Sequence, residues 1–170
     1  MTVSAELRQS LLNAIPSLRA FAVSLCGNPT RADDLVQETL VKAWANFSSF
    51  QEGTNLKAWL FTILRNEFYS QMRKRGREIQ DSDGELTGRI PDLGRQEGHL
   101  DLQDMQRALA TLPDEQREAI ILVGASGMSY EEAAEVCRVA VGTVKSRVSR
   151  ARARLAELLG EEAAPMAEAG

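Results

Sequence analysis

Basic and hydroxyl side chains are concentrated near the C-terminal end of the chain, in the stretch AVGTVKSRVSRARARL that runs from Ala140 to Leu155. Stepping 100° per residue along a helix gives one apolar stripe, made of Val144, Val148, Ala151 and Leu155. The side chains on the opposite face and its flanks are small, hydroxylic or cationic: Gly142, Thr143, Lys145, Ser146, Arg147, Ser149 and Arg150. Small residues let a helix lie deep in a DNA major groove, where hydroxyls and cations bind phosphates or base edges. We therefore predict a DNA-recognition helix.

A second polar surface is predicted in the middle of the chain. On a helix from about Leu56 to Arg75, five polar residues lie close together around the axis: Thr62, Arg65, Asn66, Tyr69 and Arg73. Arginines that follow phosphates, a ring that stacks and an amide that pairs with a base suit a single nucleic-acid strand. The preceding loop adds residues for a small pocket that takes an extruded base, namely Phe50, Gly53, Thr54 and Asn55. Taken alone, this stripe is more typical of a solvated helix face. The presence of a DNA-recognition helix in the same chain is what favours nucleic-acid binding by the stripe.

Acidic residues are grouped on the polar side of the helix RADDLVQETLVKAW, which carries Asp33, Asp34, Gln37, Glu38 and Lys42. Paired carboxylates can serve acid–base or metal chemistry, but no second acidic or histidine motif accompanies them, and His99 is the only histidine. Cys26 and Cys137 lie far apart and outside any metal-binding spacing, as expected of reduced thiols. We predict a protein-docking face on this helix, with no catalytic residue, metal or other cofactor.

The elements that position these side chains are predicted to be helices, because helix formers dominate and few segments alternate with period two. Ser129 and Glu132 have the spacing of a capping box at the start of a short helix. The four-residue turn CRVA follows, and the basic helix starts near Val141. Two short helices joined by a tight turn, the second one basic, form the helix-turn-helix pattern. Because the turn lacks glycine, we expect Cys137 or Arg138 to adopt a left-handed conformation.

Boundaries of the other helices follow from proline and capping signals. Pro16 is expected to end one short helix and open the next. Thr30 and Asp33 resemble a capping box that opens a helix through Trp44. Pro113 is expected at the first helical position after a break in the chain. The long middle helix is expected to bury Leu56, Trp59, Leu60, Ile63, Leu64, Phe68 and Met72.

Charge and composition divide the chain into two small helical domains. The net charge is +4 over residues 1–77, −5 over 78–103, 0 over 104–160 and −3 over 161–170. The segment 78–103 is poor in apolar residues and rich in Gly, Asp and Glu, which predicts a flexible acidic linker, and 161–170 is expected to be a disordered tail. Such a linker spans roughly 80 Å when fully extended, so compact and open arrangements are both reachable. Neither a bilayer-spanning run nor a signal peptide is evident, so we expect a cytoplasmic protein.

Several motifs together resemble an extracytoplasmic-function (ECF) sigma factor of bacterial RNA polymerase. They are ADDLVQETLVKAW, AWLFTILRN, LPDEQREA, SYEEAAE and VGTVKSRVSRAR. Their order and separation are specific, and the likeness covers about residues 17–159. The longer stretches FAVSLCGNPTRADDLVQETLVKAW, GTNLKAWLFTILRN, RKRGRE and LVGASGMSYEEAAEVC are similar to the EcfG type, which governs the general stress response in alphaproteobacteria.

The resemblance implies a role for each surface. Residues 1–77 match sigma region 2, and residues 104–160 match the helix-turn-helix of region 4, which also docks on the polymerase flap. The residues that match the clamp-docking helix are Asp34, Gln37, Glu38 and Lys42. The residues expected on the −10 element are Phe50, Gly53, Thr54, Asn55, Thr62, Arg65, Asn66, Tyr69 and Arg73. Those expected on the −35 element are Thr143, Lys145, Ser146, Arg147, Ser149 and Arg150.

The implied partners are core RNA polymerase and promoter DNA. The EcfG likeness adds a small helical anti-sigma factor of the NepR kind, which is released when a PhyR-like response regulator offers a sigma-like decoy. We expect a monomer when the protein is free. Two other classes of protein fit the sequence less well. A sigma mimic that binds only an anti-sigma factor has no reason to keep the DNA-facing cations. A dimeric helix-turn-helix repressor leaves the middle stripe and the docking helix unexplained.

Overall fold

The computed structural model describes residues 4–51, 53–82 and 100–160, and every regular element within them is helical. The α-helices are α1 (Ala5–Cys26), α2 (Pro29–Ala45), α3 (Leu56–Ser82), α4 (Leu100–Thr111), α5 (Asp114–Ile120), α6 (Tyr130–Cys137) and α7 (Val141–Leu159). A 3₁₀ turn at Phe47–Ser49 follows α2, and a π-helical turn at Ile121–Ala125 continues α5. The prediction of an all-α protein is confirmed. The middle of the predicted linker, 83–99, and the predicted tail, 161–170, lie outside the described residues.

The first bundle consists of α1, α2 and α3, each of which packs against the other two. The Phe21 ring of α1 stacks on the Phe61 ring of α3, with centroids 5.0 Å apart and planes 7° from parallel. Phe61 is fully buried, although the predicted apolar stripe omits it, and Met72 is 41% exposed, although the stripe includes it. The helices that pack on α3 decide which of its residues are buried, and the periodicity of α3 alone does not show where those helices lie.

Helix α1 is continuous through Pro16, so the predicted break there is wrong. A proline inside a helix removes one backbone hydrogen bond and usually bends or ends the helix. Here Leu11 before the proline and Leu18 after it are both buried in the first bundle. Tertiary packing on both sides of Pro16 therefore outweighs the local preference to stop.

Helix α2 begins two residues earlier than predicted, and its predicted capping box, Thr30 with Asp33, is wrong. Asn28 is the N-cap, and its Oδ1 accepts hydrogen bonds from the backbone N–H of Thr30 (2.9 Å) and Arg31 (3.2 Å). Asparagine is among the strongest N-caps, and Pro29 at the first helical position strengthens it. Gly27 (φ 67°) supplies the left-handed residue that ends α1. The loop between the two helices is thereby limited to two residues.

The second bundle consists of α4 to α7 and contains the predicted helix-turn-helix. The Ser129–Glu132 capping box is present, with both reciprocal hydrogen bonds formed. Arg138 adopts the predicted left-handed conformation, at φ 58° and ψ 46°. Pro113 lies one residue earlier than expected, as the N-cap of α5. The predicted apolar stripe of α7 is buried in full: Val144, Val148, Ala151 and Leu155.

The two bundles contact each other. Helix α3 packs against α6, and α1 packs against α4, α5 and the π-helical turn. At its far end α3 continues to Ser82, so the first residues of the predicted linker are helical. The polar middle of α3 therefore lies where the two bundles meet.

Candidate nucleic-acid interfaces

The outer face of α7 presents the side chains that sequence analysis placed there. Five of them are exposed, namely Gly142, Lys145, Ser146, Ser149 and Arg150, and Thr143 is half-buried. The Lys145 ammonium lies 5.6 Å from the centroid of the Tyr130 ring, which restrains it beside α6. No side chain caps the first turn of α7, and the Thr143 N–H donates to the Ala140 carbonyl (3.0 Å), so the N–H groups of Val141 and Gly142 are the ones that can face a phosphate. This face has the size and the donors that a major groove accepts.

Arg147 differs from its neighbours on α7. Its side chain is only 16% exposed, and its guanidinium lies 3.5 Å from the Glu115 carboxylate of α5. Arg147 lies at the edge of the apolar stripe of α7, so its side chain can turn towards the protein. The periodicity of α7 does not indicate that Glu115 of another helix lies there. In this arrangement Arg147 joins α7 to α5.

The polar stripe of α3 lines a cleft between the two bundles of about 580 Å³. The α3 side chains in this cleft are Arg65, Asn66, Tyr69 and Arg73, and the second bundle contributes Asp114, Glu115 and Arg138. The Arg65 guanidinium lies over the Tyr69 ring, 4.8 Å from its centroid. Thr62 does not line the cleft, and its Oγ1 donates to the Ala58 carbonyl (2.8 Å).

One buried carboxylate, that of Glu118 in α5, accepts hydrogen bonds from side chains of both bundles. It is fully buried and accepts from Arg65 Nε (2.6 Å), from the Tyr69 hydroxyl (2.7 Å) and from Cys137 Sγ (2.9 Å). Burial and then the charge of Glu118 raise the pKa of the Tyr69 hydroxyl, which therefore keeps its proton and donates it. Glu118 was not predicted as a site residue, because an acid inside a helix of mixed polarity carries no sign of its partners in another domain.

The loop predicted to hold an extruded base is built on aromatic packing. Phe50 is buried and lies 5.1 Å from the Trp59 ring and 6.2 Å from the Phe47 ring, measured between centroids. Gly53 takes φ 89°, and Thr54 Oγ1 donates to the carbonyl of Gln51 (2.6 Å). Phe50 thus supports the loop from below, while Gly53 and Thr54 are exposed.

Asn55 closes this loop and also reaches the second bundle. Its Oδ1 accepts from the Ala58 N–H (3.1 Å), which caps α3, and its Nδ2 donates to the Glu132 carboxylate. Beside the loop is a cleft of about 430 Å³ whose lining includes Asn46, Ser49, Trp59, Ile63 and Asn66. Asn66 therefore lies next to both clefts. Asn46 was not predicted in any role, and Trp59 was predicted only as a buried residue of the helix.

The predicted docking face of α2 is exposed at Asp34, Gln37 and Glu38. Lys42 instead pairs with Glu67 of α3, and this hydrogen bond raises the pKa of Lys42. Two large apolar side chains accompany the acids on α2 and were missed: Val41, 63% exposed, and Trp44, 52% exposed. The face is therefore amphipathic, as protein-docking surfaces commonly are.

An apolar groove of about 570 Å³ runs between α1 and α4. Its apolar lining includes Pro16, Ala20, Val23, Met105, Leu109 and Ile121. The groove joins side chains that are far apart in sequence, so no local pattern indicates it.

Within residues 4–51, 53–82 and 100–160, no three His, Cys, Asp or Glu side chains are grouped as a metal site. In the same part of the chain, no helix has both the length and the apolar character that crossing a membrane requires.

Two family models match the chain: Sigma-70 region 2 over residues 12–78, and Sigma-70, region 4 over residues 102–155. The ECF RNA polymerase sigma factor EcfG of Rhodopseudomonas palustris (strain TIE-1) is 58% identical over 159 residues, which cover 94% of this chain and 88% of that protein. The chain belongs to the ECF RNA polymerase sigma factors. Its first bundle is region 2, its second bundle is region 4, and its function is to direct transcription from promoters.

Solved structures extend the likeness to the arrangement of both regions. The sigma factor RpoE of Bartonella quintana, solved in complex with the anti-sigma factor NepR, is 62% identical; the match covers 92% of this chain and 98% of that one at a TM-score of 0.85. A chain from the complex of the anti-anti-sigma factor PhyR with NepR, also from Bartonella quintana, shares the fold at 17% identity and a TM-score of 0.57, over 91% of this sigma factor and 51% of that chain.

Proposed function

We propose that α7 of region 4 binds the −35 element and that the α3 stripe and its preceding loop bind the melted −10 strand. The observation that carries this proposal is the outer face of α7, where small and cationic side chains are exposed directly behind a fully buried apolar stripe. That geometry holds the helix firmly while its donors face outwards. Lys145, Ser149 and Arg150 are the proposed base or phosphate contacts.

In region 2, the proposed −10 surface has two parts. Asn66 is exposed between the two clefts, and Arg73 continues the stripe as an exposed cation. The smaller cleft beside Trp59 offers a ring and the amide of Asn46, which suits a base that has left the stack. Gly53 and Thr54 are exposed in the loop that precedes α3 and are proposed to contact the same strand.

Core RNA polymerase is the proposed partner of α2. Asp34, Gln37 and Glu38 supply polar contacts, and Val41 with Trp44 supplies apolar area that a free protein leaves in water. Such a sigma factor works by binding and positioning, and we assign it no catalysis. We propose that it acts in the cytoplasm, where polymerase and chromosome are.

We further propose that a small helical anti-sigma factor of the NepR kind controls this sigma factor in the general stress response, with release by a PhyR-like regulator. The groove between α1 and α4 is the proposed seat of an apolar face of that partner. It spans both regions, so an occupant fixes their separation. The likeness to RpoE, which was solved with NepR bound, supports this choice.

Transcription with purified core polymerase tests the proposal. Templates with randomised −35 and −10 elements should yield specific transcripts only when this protein is added. A NepR-like protein should abolish them, and Val23→Glu together with Leu109→Glu, two changes within the groove, should restore them. No transcripts and no binding to core polymerase, with intact binding to the anti-sigma factor, would mean that the chain acts as a sigma mimic.

A further inference from the structure

Lys145 of α7 is held by an aromatic ring and not by an acid. Its ammonium lies 5.6 Å from the centroid of the Tyr130 ring, a distance at which the face of a ring attracts a cation. Within the described part of the chain, this ammonium forms no hydrogen bond and no ion pair. Its three N–H donors therefore remain available to a partner outside the protein.

The other two cations of α7 that were predicted on the −35 element have different surroundings. Arg147 pairs with Glu115, and its side chain is only 16% exposed. Arg150 is exposed and has no side-chain partner among the described residues. An acid compensates the charge of a cation, whereas a ring attracts the cation through its quadrupole and leaves the full charge in place. Of these three side chains, Lys145 is the one that is restrained without being neutralised.

The Tyr130 ring is itself fixed in place by the start of α6. Tyr130 is the first residue of α6 and directly follows the N-cap Ser129. The reciprocal hydrogen bonds between Ser129 and Glu132, 3.0 and 3.1 Å long, hold this turn. The ring is half-buried and packs against the hydrophobic core, and its hydroxyl forms no hydrogen bond with the described residues. The ring, and not the hydroxyl, is therefore the part of Tyr130 that the fold uses.

A restrained lysine differs from a mobile one when it binds DNA. The four methylene groups of a lysine give it many rotamers, and ordering such a side chain at an interface costs conformational entropy. Lys145 is exposed on the face of α7 that carries Ser146 and Ser149, and the Tyr130 ring holds its ammonium at the edge of that face. Part of the ordering is thus complete before DNA arrives.

Resting on the function proposed above, we propose that Tyr130 is a positioning residue for the −35 element: its ring holds the Lys145 ammonium where the ammonium binds DNA, and the contact is retained in the complex. Tyr130 acts through Lys145 and not by touching DNA. The first helix of the helix-turn-helix thereby raises promoter affinity by ordering a side chain of the second.

NMR on the free full-length protein tests the contact in solution. Protons held over the face of an aromatic ring are shifted upfield, so the Hε protons of Lys145 should resonate upfield of their usual position. Tyr130→Phe keeps the ring and should keep the shift, whereas Tyr130→Leu keeps an apolar side chain and should abolish it. Unshifted Lys145 protons in the wild type would show that the ring does not hold the ammonium.

Binding by the holoenzyme tests the role in recognition, on a promoter selected from the randomised templates described above. Lys145→Met removes the charge and should weaken binding by about 5- to 150-fold, as expected for a DNA contact. Tyr130→Leu should weaken it by about two- to fivefold, which corresponds to the ~0.5–1 kcal/mol of an exposed cation–π contact. Tyr130→Phe is the matched control, and its affinity should stay within about twofold of the wild type.

A double-mutant cycle separates positioning from a folding defect. In the Lys145→Met background, Tyr130→Leu should have no further effect on promoter affinity, because Tyr130 acts through the Lys145 charge. A folding defect of region 4 would instead lower affinity in both backgrounds. Lys145→Met should also reduce the salt dependence by about one charge, whereas Tyr130→Leu should leave it unchanged.

The outcomes also distinguish this inference from the function on which it rests. Unchanged affinity in Lys145→Met would mean that Lys145 does not contact the promoter, and both assignments would fail at this residue. A loss in Lys145→Met with none in Tyr130→Leu keeps the DNA contact and overturns the positioning role. An equal loss in Tyr130→Phe and Tyr130→Leu would show that the hydroxyl contacts DNA directly. Tighter binding by Tyr130→Leu would show that the ring competes with DNA for the ammonium, which also overturns the proposal.

Discussion

Arg150 and Arg147 lie three residues apart on α7, and truncating each of them should have different consequences. Arg150 is exposed and forms no hydrogen bond or ion pair with the described residues, so Arg150→Ala should change the stability of region 4 by less than about 0.5 kcal/mol. If it contacts DNA as proposed, the same change weakens binding of the holoenzyme to the promoter by about 1–3 kcal/mol, which is about 5- to 150-fold.

For Arg147 the expected balance is reversed. Its ion pair with Glu115 is 3.5 Å long and the acid is 68% exposed, so the pair itself contributes at most about 1 kcal/mol. Burial of the aliphatic part of the side chain adds a similar amount. Arg147→Ala should therefore lower the stability of region 4 by about 1 kcal/mol or slightly more, and change promoter affinity less than Arg150→Ala does.

The assay is quantitative footprinting by the holoenzyme on two templates, one with an intact and one with a scrambled −35 element, together with thermal melting of the free proteins. A base contact by Arg150 lowers the affinity ratio of the two templates. A phosphate contact lowers both affinities and reduces the salt dependence by about one charge. If Arg147→Ala reduces promoter affinity as much as Arg150→Ala without lowering the melting temperature, the assignment of roles on α7 is wrong.

Three further predictions concern stability. Arg138→Gly should stabilise region 4 by about 0.5–1 kcal/mol in denaturant titration, because glycine removes the strain of the left-handed conformation. The gain is reduced by the larger conformational entropy of glycine in the unfolded chain. An equal gain from Arg138→Ala, which keeps the Cβ, would contradict this explanation. Burial and then the Glu118 charge raise the pKa of Cys137 from 9.0 to about 12, so the folded protein holds this proton more tightly than the unfolded chain. The contribution of this proton to the free energy of unfolding is complete below pH 9 and declines as the pH rises towards 12. In urea unfolding, Cys137→Ala should lose stability less steeply over this range than the wild type. Equal slopes would show that this thiol is not responsible. Ser129→Ala removes one half of the capping box and should cost about 1 kcal/mol in thermal unfolding, and an unchanged transition would mean that the cap contributes nothing.

Sequence patterns predicted local structure well where the residues that decide it are close together in the sequence. The apolar stripe of α7, the Ser129 capping box and the left-handed Arg138 depend on residues within a few positions of each other, and all three are present. Pro16 shows the limit of such reasoning. Its local preference for a break is real, but packing of α1 against its neighbours decides the outcome.

The sequence was enough to predict which α3 side chains line the candidate site, but not which residues of the second bundle they contact. Helical periodicity placed Arg65, Asn66 and Tyr69 on one face, and they do line one cleft. That Glu118 meets two of them depends on how two separate bundles dock, and the distance of 53 positions between Arg65 and Glu118 leaves no periodic trace. The inward turn of Arg147 has the same origin, since the acid that meets it lies on another helix.

The aromatic packing beneath the −10 loop gives the molecule a built-in optical reporter. Both tryptophans of the chain, Trp44 and Trp59, lie against the Phe47 ring, with centroids 5.9 and 5.7 Å away. Region 4 contains no tryptophan, so intrinsic fluorescence excited at the indole band arises from region 2 alone. Quenching or a spectral shift on addition of DNA reports events at that loop without any attached dye, and region 4 contributes no tryptophan emission of its own to the signal.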